Sequence, residues 1–385
     1  MSFFRPFALE RYFAAHEFSA RHLLCTSDCE TVSVRDLLSL EPGAEERLLS
    51  LRLGYTETRG APGLRAAIAD QYKGLSPDDI FIHAGAEEAI LNFCLAFLER
   101  GDTVVVNSPC YQSLAEIPRS LGCKVLPWRL REEGGRWTLD PDELPPLLQG
   151  GARLVILNMP HNPTGALLSP GEFGRVVDAC ATTGAVLFMD EVYRKLEREP
   201  ERRLPAACEA YENAVSLNVL SKSAGLAGLR VGWLATRRKD ILDAVATVKD
   251  YNSICSSGPS EVLAEVAVRH WDAIAERNRA LCTANLSRLE DFFARRPSFA
   301  LWSPPEGGSI AFPRLAEEEG GRWVSGKGSG DAELLALRLL EEAGVLILPG
   351  AYYGYDPSYF RIGYGRAGMA KALEALEAWL DSRAS

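Results

Sequence analysis

No stretch of the 385 residues approaches the ~18 consecutive apolar positions that a bilayer-crossing helix takes. The opening run Met1-Ser2-Phe3-Phe4-Arg5-Pro6 also lacks a basic segment followed by an apolar one. Both absences lead us to expect a soluble, cytoplasmic protein with no membrane partner. Dense Lys/Arg stripes are missing as well. Basic residues number 42 against 52 acidic, a net charge of −10, which argues against a nucleic-acid partner. The nine cysteines are odd in number and form no paired CxxC sets. Cys25 and Cys29 have ligand-like spacing, but His22 is the one histidine close by, and a closed zinc site usually takes four ligands. Reduced, mostly buried thiols and no metal are the expectation.

Nearly half of the chain, 47%, is apolar, enough for substantial cores, and the length suits two domains. From Ile80 to Asp190 short β-type runs alternate with longer helical patterns, the signature of crossover units around a mostly parallel sheet. The candidate strands are 80–83, 103–107, 124–127, 154–158, 187–190 and 215–219. Helices are expected over 86–100, 111–121 and 170–183. Beyond Arg279 long helices over 279–295 and 331–343 are separated by short strands, which reads as a second, α+β domain. We therefore expect an N-terminal arm and part of a small domain over 1–50, a large domain over 51–278, and the C-terminal small domain over 279–385. The arm, with Tyr12, Phe13, Phe18, Leu23 and Leu24, should pack on the second domain or on a partner subunit. The hexapeptide Glu132-Glu133-Gly134-Gly135-Arg136-Trp137 recurs at 318–323, and two exposed turns of similar chemistry account for it.

Chemistry concentrates where predicted strands end, the edge at which α/β sheets bind ligands. Ser221-Lys222-Ser223-Ala224-Gly225-Leu226-Ala227-Gly228-Leu229-Arg230 places a lysine in a small-residue loop just after a buried strand. A lysine amine condenses with an aldehyde when it is deprotonated, which a partly dry site encourages. Ser221 and Arg230 beside it are the donors one would choose for a phosphate monoester. Taken alone, the segment reads equally as a solvated turn. Asp190 ends the apolar run Val186-Leu187-Phe188-Met189 and needs a cationic or hydrogen-bonding partner. A pyridinium nitrogen is one such partner; a helix N-cap is the alternative role. Asn162, in Asn158-Met159-Pro160-His161-Asn162-Pro163-Thr164-Gly165, and Tyr193 could both donate to a phenolate oxygen, whereas His161 suits a structural hydrogen bond. The turn Gly85-Ala86-Glu87 before a helix offers backbone N–H groups to an anion. Tyr111 could stack on a planar heterocycle or simply pack in the core. The Arg361 guanidinium could grip a carboxylate through two parallel bonds, with a surface salt bridge as the alternative.

Read together from about Tyr55 to Arg361, these motifs resemble the fold-type I pyridoxal 5'-phosphate (PLP) enzymes, specifically the class I/II aminotransferase family. The resemblance implies an α/β transferase fold of type I: a large domain with a mostly parallel seven-stranded sheet, plus a smaller α+β domain. It implies that Lys222 forms the Schiff base, Asp190 pairs with the pyridinium, Asn162 and Tyr193 hold the ring hydroxyl, and Tyr111 stacks on the ring. The phosphate goes to Ala86, Glu87, Ser221 and Arg230, and Arg361, with Asn162, binds the substrate. Tyr55, in Leu53-Gly54-Tyr55-Thr56, looks like the tyrosine that reaches a neighbouring subunit's phosphate, which implies a homodimer. The opening Leu9-Glu10-Arg11-Tyr12-Phe13 is similar to the start of capreomycidine synthase-like members from antibiotic pathways, which perform elimination and cyclisation. Where many members carry a Gly-containing substrate loop, this chain has Leu24-Cys25-Thr26-Ser27-Asp28-Cys29-Glu30, and Cys25, Ser27 and Asp28 are candidates to meet substrate by position. An aminotransferase acting at the Cα of an amino acid is the expected activity, with a PLP-dependent β-eliminating lyase as the alternative.

Overall fold

The computed structural model describes residues 3–316 and 331–384, so the second copy of the hexapeptide lies outside the described residues. The first copy closes an antiparallel hairpin, Arg131–Glu133 with Arg136–Thr138.

Seven strands form the main sheet: β1 (Ile80–His83), β2 (Thr103–Ser108), β3 (Lys124–Arg129), β4 (Leu154–Asn158), β5 (Val186–Asp190), β6 (Ala214–Val219) and β7 (Gly232–Ala235). Their order is β1-β7-β6-β5-β4-β2-β3. All neighbours run parallel except β7, which is antiparallel to both β1 and β6. β4, β5 and β6 are buried at every position, which explains their unbroken apolar character: helices cover both faces. The strand that the pattern reading does not single out is β7. Four residues wedged between two neighbours carry no alternation, and nothing in the segment itself signals a reversed direction.

Helix Trp271–Arg295 begins eight residues before the expected Arg279 and runs through the expected boundary at 278/279. Its buried positions Trp271, Ile274, Ala275, Asn278, Cys282, Asn285, Leu286 and Leu289 continue one helical stripe across that point.

The N-terminal segment packs on the C-terminal part of the chain. His22–Leu23 pairs in parallel with Val345–Leu346, and Tyr12 Oη donates to the Ile347 carbonyl at 2.8 Å. The following residues cross strand Phe360–Gly363 at Gly363, where a methyl group would collide with the Thr26 carbonyl. Only glycine lets the two backbones approach that closely.

Candidate active site

β4, β5 and β6 run parallel with Asn158 opposite Asp190 and Asp190 opposite Leu217, so the loops after them emerge at one edge of the sheet. There a cavity of about 390 Å³ opens. Asp190 and Asn158 reach it from strand ends, Ser221 and Lys222 from the loop after β6, and Ala86 and Glu87 from the helix that follows β1. Tyr111, Asn162, Tyr193, Arg230 and Arg361 complete the set read from sequence. Tyr55 is apart. It is 90% exposed and borders a separate crevice with Cys255, Ser256 and Ser257.

Burial lowers the basicity of the Lys222 amine, whose Nζ donates to Ser27 Oγ at 2.8 Å. That is the direction a nucleophile or base needs. Asp190 is 5% exposed, and its carboxyl is pushed up to about 7, chiefly by burial, although Oδ1 accepts from Val192 N–H at 3.1 Å. The capping alternative is thus realised at a turn rather than a helix, and it leaves the second carboxyl oxygen for another partner. Burial also raises Tyr193, opposed in part by Arg361 and by the nearby Ser27 hydroxyl, and its Oη makes no hydrogen bond of good geometry within the protein. An orphaned buried hydroxyl facing a cavity points to a ligand oxygen. Asn162 Oδ1 accepts from Tyr353 Oη at 2.9 Å and Arg361 Nη1 at 3.4 Å, so its amide NH₂ is the group available to donate.

Arg361 is not on the surface. It is 2% exposed; Nε and Nη2 donate to the Cys25 carbonyl at 3.2 and 2.7 Å, and Nη1 to Tyr353 Oη at 2.5 Å. Among the described residues no carboxylate pairs with it, which overturns the salt-bridge alternative. A buried charge without a counter-ion is costly, so a carboxylate from outside the chain is its natural partner.

The opposite end of the cavity suits a phosphate. Helix Ala86–Phe97 starts there with its first N–H groups unsatisfied within the helix. Gly85 has φ +92°, and a methyl group on it would come to 2.6 Å from Arg230 Nη2, so the guanidinium lies against the turn. Arg230 itself adopts left-handed backbone, φ 53°, a conformation that non-glycine residues hold at a cost. The Glu87 side chain is pushed up to about 7 by burial and accepts from Ser113 Oγ at 3.0 Å. Its backbone N–H, not its carboxyl, is the part that could receive an anion.

His161 is structural: burial lowers it to about 3, and its ring nitrogens bond Thr164 Oγ1 and the Pro109 carbonyl, each at 2.7 Å. Of the three position-based candidates, Ser27 lines the cavity, whereas the Cys25 thiol is buried away from water and Asp28 pairs with Arg366 at 2.6 Å. Cys29 Sγ lies 3.8 Å from Cys282 Sγ. Sequence reasoning missed Glu10, Phe13 and Tyr353. Glu10 and Phe13 line the cavity, Glu10 accepting from Tyr111 Oη at 2.6 Å, and Tyr353 props Arg361. The aromatic run Tyr352-Tyr353-Gly354-Tyr355 is a signal that could have found Tyr353; nothing in the opening segment marks Glu10 as facing a site.

Residues 30–376 match the family model for aminotransferase class I and II. The chain belongs to this family. As a class I/II aminotransferase-family member it is an enzyme that uses PLP, and the residues fit that cofactor: an orphaned Tyr193 hydroxyl, a buried Asp190 carboxyl, a lysine of lowered basicity and an anion cradle of glycine turn and arginine. The chain is 30% identical to capreomycidine synthase of Streptomyces vinaceus, over 98% of this chain and 94% of that protein. It is 28% identical to an aspartate aminotransferase of Thermotoga maritima, over 92% and 91%. Among solved structures, a PLP-dependent aminotransferase from Streptococcus suis superposes with a TM-score of 0.89 at 29% identity, covering 98% of both chains. The PLP-dependent cyclase OrfR also gives 0.89, at 33% identity and 98% of both.

Proposed function

We propose that the enzyme transfers the amino group of an α-amino acid to a 2-oxo acid, with Arg361 holding the α-carboxylate and Lys222 moving the Cα proton. The observation that carries this reading is the buried Arg361 guanidinium, without a carboxylate partner among the described residues, on the same cavity as Lys222 and Asp190. A planar fork gripping the α-carboxylate fixes which Cα bond is presented for cleavage. When bound, PLP supplies the aldehyde that captures the substrate amine and the ring that takes up the electron pair left at Cα. Lys222 Nζ, made less basic by burial, would take the Cα proton and deliver it to the former aldehyde carbon of the cofactor, so that water can release the oxo acid and leave the amino group behind, with Ser27 Oγ orienting the amine between the two events. Asp190 would stay ionised with a cation facing it, and Tyr193 Oη and the Asn162 amide would donate to the ring oxygen.

A second reading, elimination or cyclisation, is favoured by Glu10. Its carboxylate enters the cavity on the N-terminal helix and is hydrogen-bonded to Tyr111, a pair able to pass a proton to a group leaving from Cβ. The identity to capreomycidine synthase supports the same reading.

We further infer a homodimer. Leu53 and Tyr55 are 85% and 90% exposed beside the crevice at 255–259, an apolar surface suited to a second copy whose phosphate site Tyr55 would reach. Nine free cysteines support a reducing compartment such as the cytoplasm. The division at residues 50 and 278 is retained as a proposal.

The test is to mix the holoenzyme with single amino acids and no oxo acid while following the visible absorbance. Stoichiometric conversion of the cofactor to its amine form supports transfer. Continuous release of ammonia, thiol or a cyclised product with the original band restored supports the second reading and refutes the first.

A further inference from the structure

Behind the phosphate end of the cavity lies a second cluster of charged groups that the chemistry above does not use. Glu87 and Glu88 are consecutive, yet Glu87 faces the cavity and Glu88 points into the protein. Glu88 Oε2 accepts from the Ala84 N–H at 2.5 Å. Lys249, fully buried in the last turn of helix Lys239–Asp250, donates to Glu88 Oε2 at 3.1 Å, to Oε1 at 3.3 Å and to Ser253 Oγ at 2.7 Å. His83 Nδ1 is 3.6 Å from the same carboxylate, and burial holds its ring below the ordinary histidine range. Burial alone would raise Glu88, but bonds with His83, Ser253 and Ala84 N–H and the Lys249 charge hold it well below the usual carboxylate range.

A buried ion pair adds little net stability, because desolvation offsets the attraction. Its consequences here are geometric and electrostatic. The Ala84–Ala86 turn is gripped from behind by Glu88 and pressed in front by Arg230, which lies against Gly85. Without Lys249, the Glu88 charge, in the first turn of helix Ala86–Phe97, would repel a dianion bound at that N-terminus.

We propose that Glu88 and Lys249 are positioning residues for the cofactor phosphate: Glu88 fixes the turn that meets Arg230, and Lys249 cancels the charge this requires. The proposal rests on the reading that the phosphate sits at the N-terminus of helix Ala86–Phe97 with Ser221 and Arg230.

The experiment titrates the full-length apoenzyme with PLP and, separately, with pyridoxal, the same aldehyde without phosphate, reading the absorbance change. Lys249→Met is expected to raise the PLP dissociation constant about tenfold, because the uncancelled Glu88 charge then repels the phosphate, and to leave pyridoxal unchanged. Adding Glu88→Gln to Lys249→Met should recover most of the PLP affinity. The amide still accepts from Ala84 and leaves no charge behind, a non-additivity that loss of packing alone does not produce. Equal losses for PLP and pyridoxal, or a double variant no better than the single one, would overturn the proposal. If Lys249→Met does not fold, Glu88→Leu/Lys249→Met replaces it and should bind PLP, but not pyridoxal, about tenfold more weakly than Glu88→Gln/Lys249→Met, because the leucine cannot accept from the Ala84 N–H that fixes the turn; equal binding overturns the proposal. Arg230→Ala separates the two layers of argument. If it leaves the ratio of PLP to pyridoxal affinity untouched, the phosphate assignment itself fails.

Discussion

Replacing Arg361 tests the substrate assignment most directly. The side chain is 2% exposed and held by the Cys25 carbonyl and Tyr353 Oη, so it is fixed before substrate arrives and no rotamer freedom is lost on binding. A substrate carboxylate gripped by two charge-assisted hydrogen bonds gains roughly 1.5–3 kcal/mol from each. Arg361→Met removes both, so kcat/KM for the best amino acid should fall roughly 10²- to 10⁴-fold. Arg361→Lys keeps the charge but not the fork, and should fall about 10- to 150-fold. The decisive assay pairs that amino acid with the amine that differs only by lacking the α-carboxylate. Wild type should prefer the amino acid by about the factor that Arg361→Met loses, and the preference should collapse in the variant while the rate on the amine stays within a few-fold. An undiminished preference, or equal losses on both compounds in a variant that melts like wild type, would refute the reasoning.

Lys222→Ala should abolish the covalent link between cofactor and protein, so that borohydride treatment no longer leaves the cofactor on the peptide containing residue 222, and should slow proton transfer by at least ~10²-fold; a cofactor still trapped covalently would sink the assignment. Asp190 makes the apoenzyme pH-sensitive. An acid raised from 3.8 to about 7 on folding binds more protons in the folded state between those values, so this group's contribution to stability is most favourable below pH 4 and falls as pH rises to about 7, by at most roughly 4 kcal/mol. Asp190→Asn should flatten that part of the melting profile of the apoenzyme and weaken PLP binding, and an unchanged profile contradicts the shift. Tyr55→Phe should bind PLP up to about tenfold more weakly, one hydrogen bond's worth. Mixed with Lys222→Ala, it should regain activity, because one site of each hybrid dimer carries both native residues; no gain on mixing excludes a role in trans.

Much of this site was legible before any coordinates, because its residues sit at the ends of strands that identify themselves. Val186–Asp190 is apolar until its last residue, and a carboxylate placed there must be explained by a partner. The loop of small residues around Lys222 likewise follows β6, and the turn at Gly85 follows β1. In a parallel sheet such ends converge, so the local pattern carries the global placement of Asp190, Asn162, Lys222 and Ala86.

Other features needed the folded chain. β7 reverses direction without any local mark, and helix Trp271–Arg295 carries one buried stripe straight across the expected boundary at 278/279. Sequence by itself determined six of the seven strands of the sheet, the loop lysine, the carboxylate at a strand end and the glycine turn before a helix, since each follows from residue type and short-range spacing. Tertiary structure alone decided that Glu10 and Phe13 join Ser27 in closing the cavity, that Arg361 is buried with no carboxylate partner among the described residues, and that Lys249 backs the Ala84–Ala86 turn. Pairing of His22–Leu23 with Val345–Leu346, and of Lys249 with Glu88 across 161 positions, joins segments that share no local pattern. Contacts of that separation are set by packing of the whole fold, and no window of sequence contains both halves.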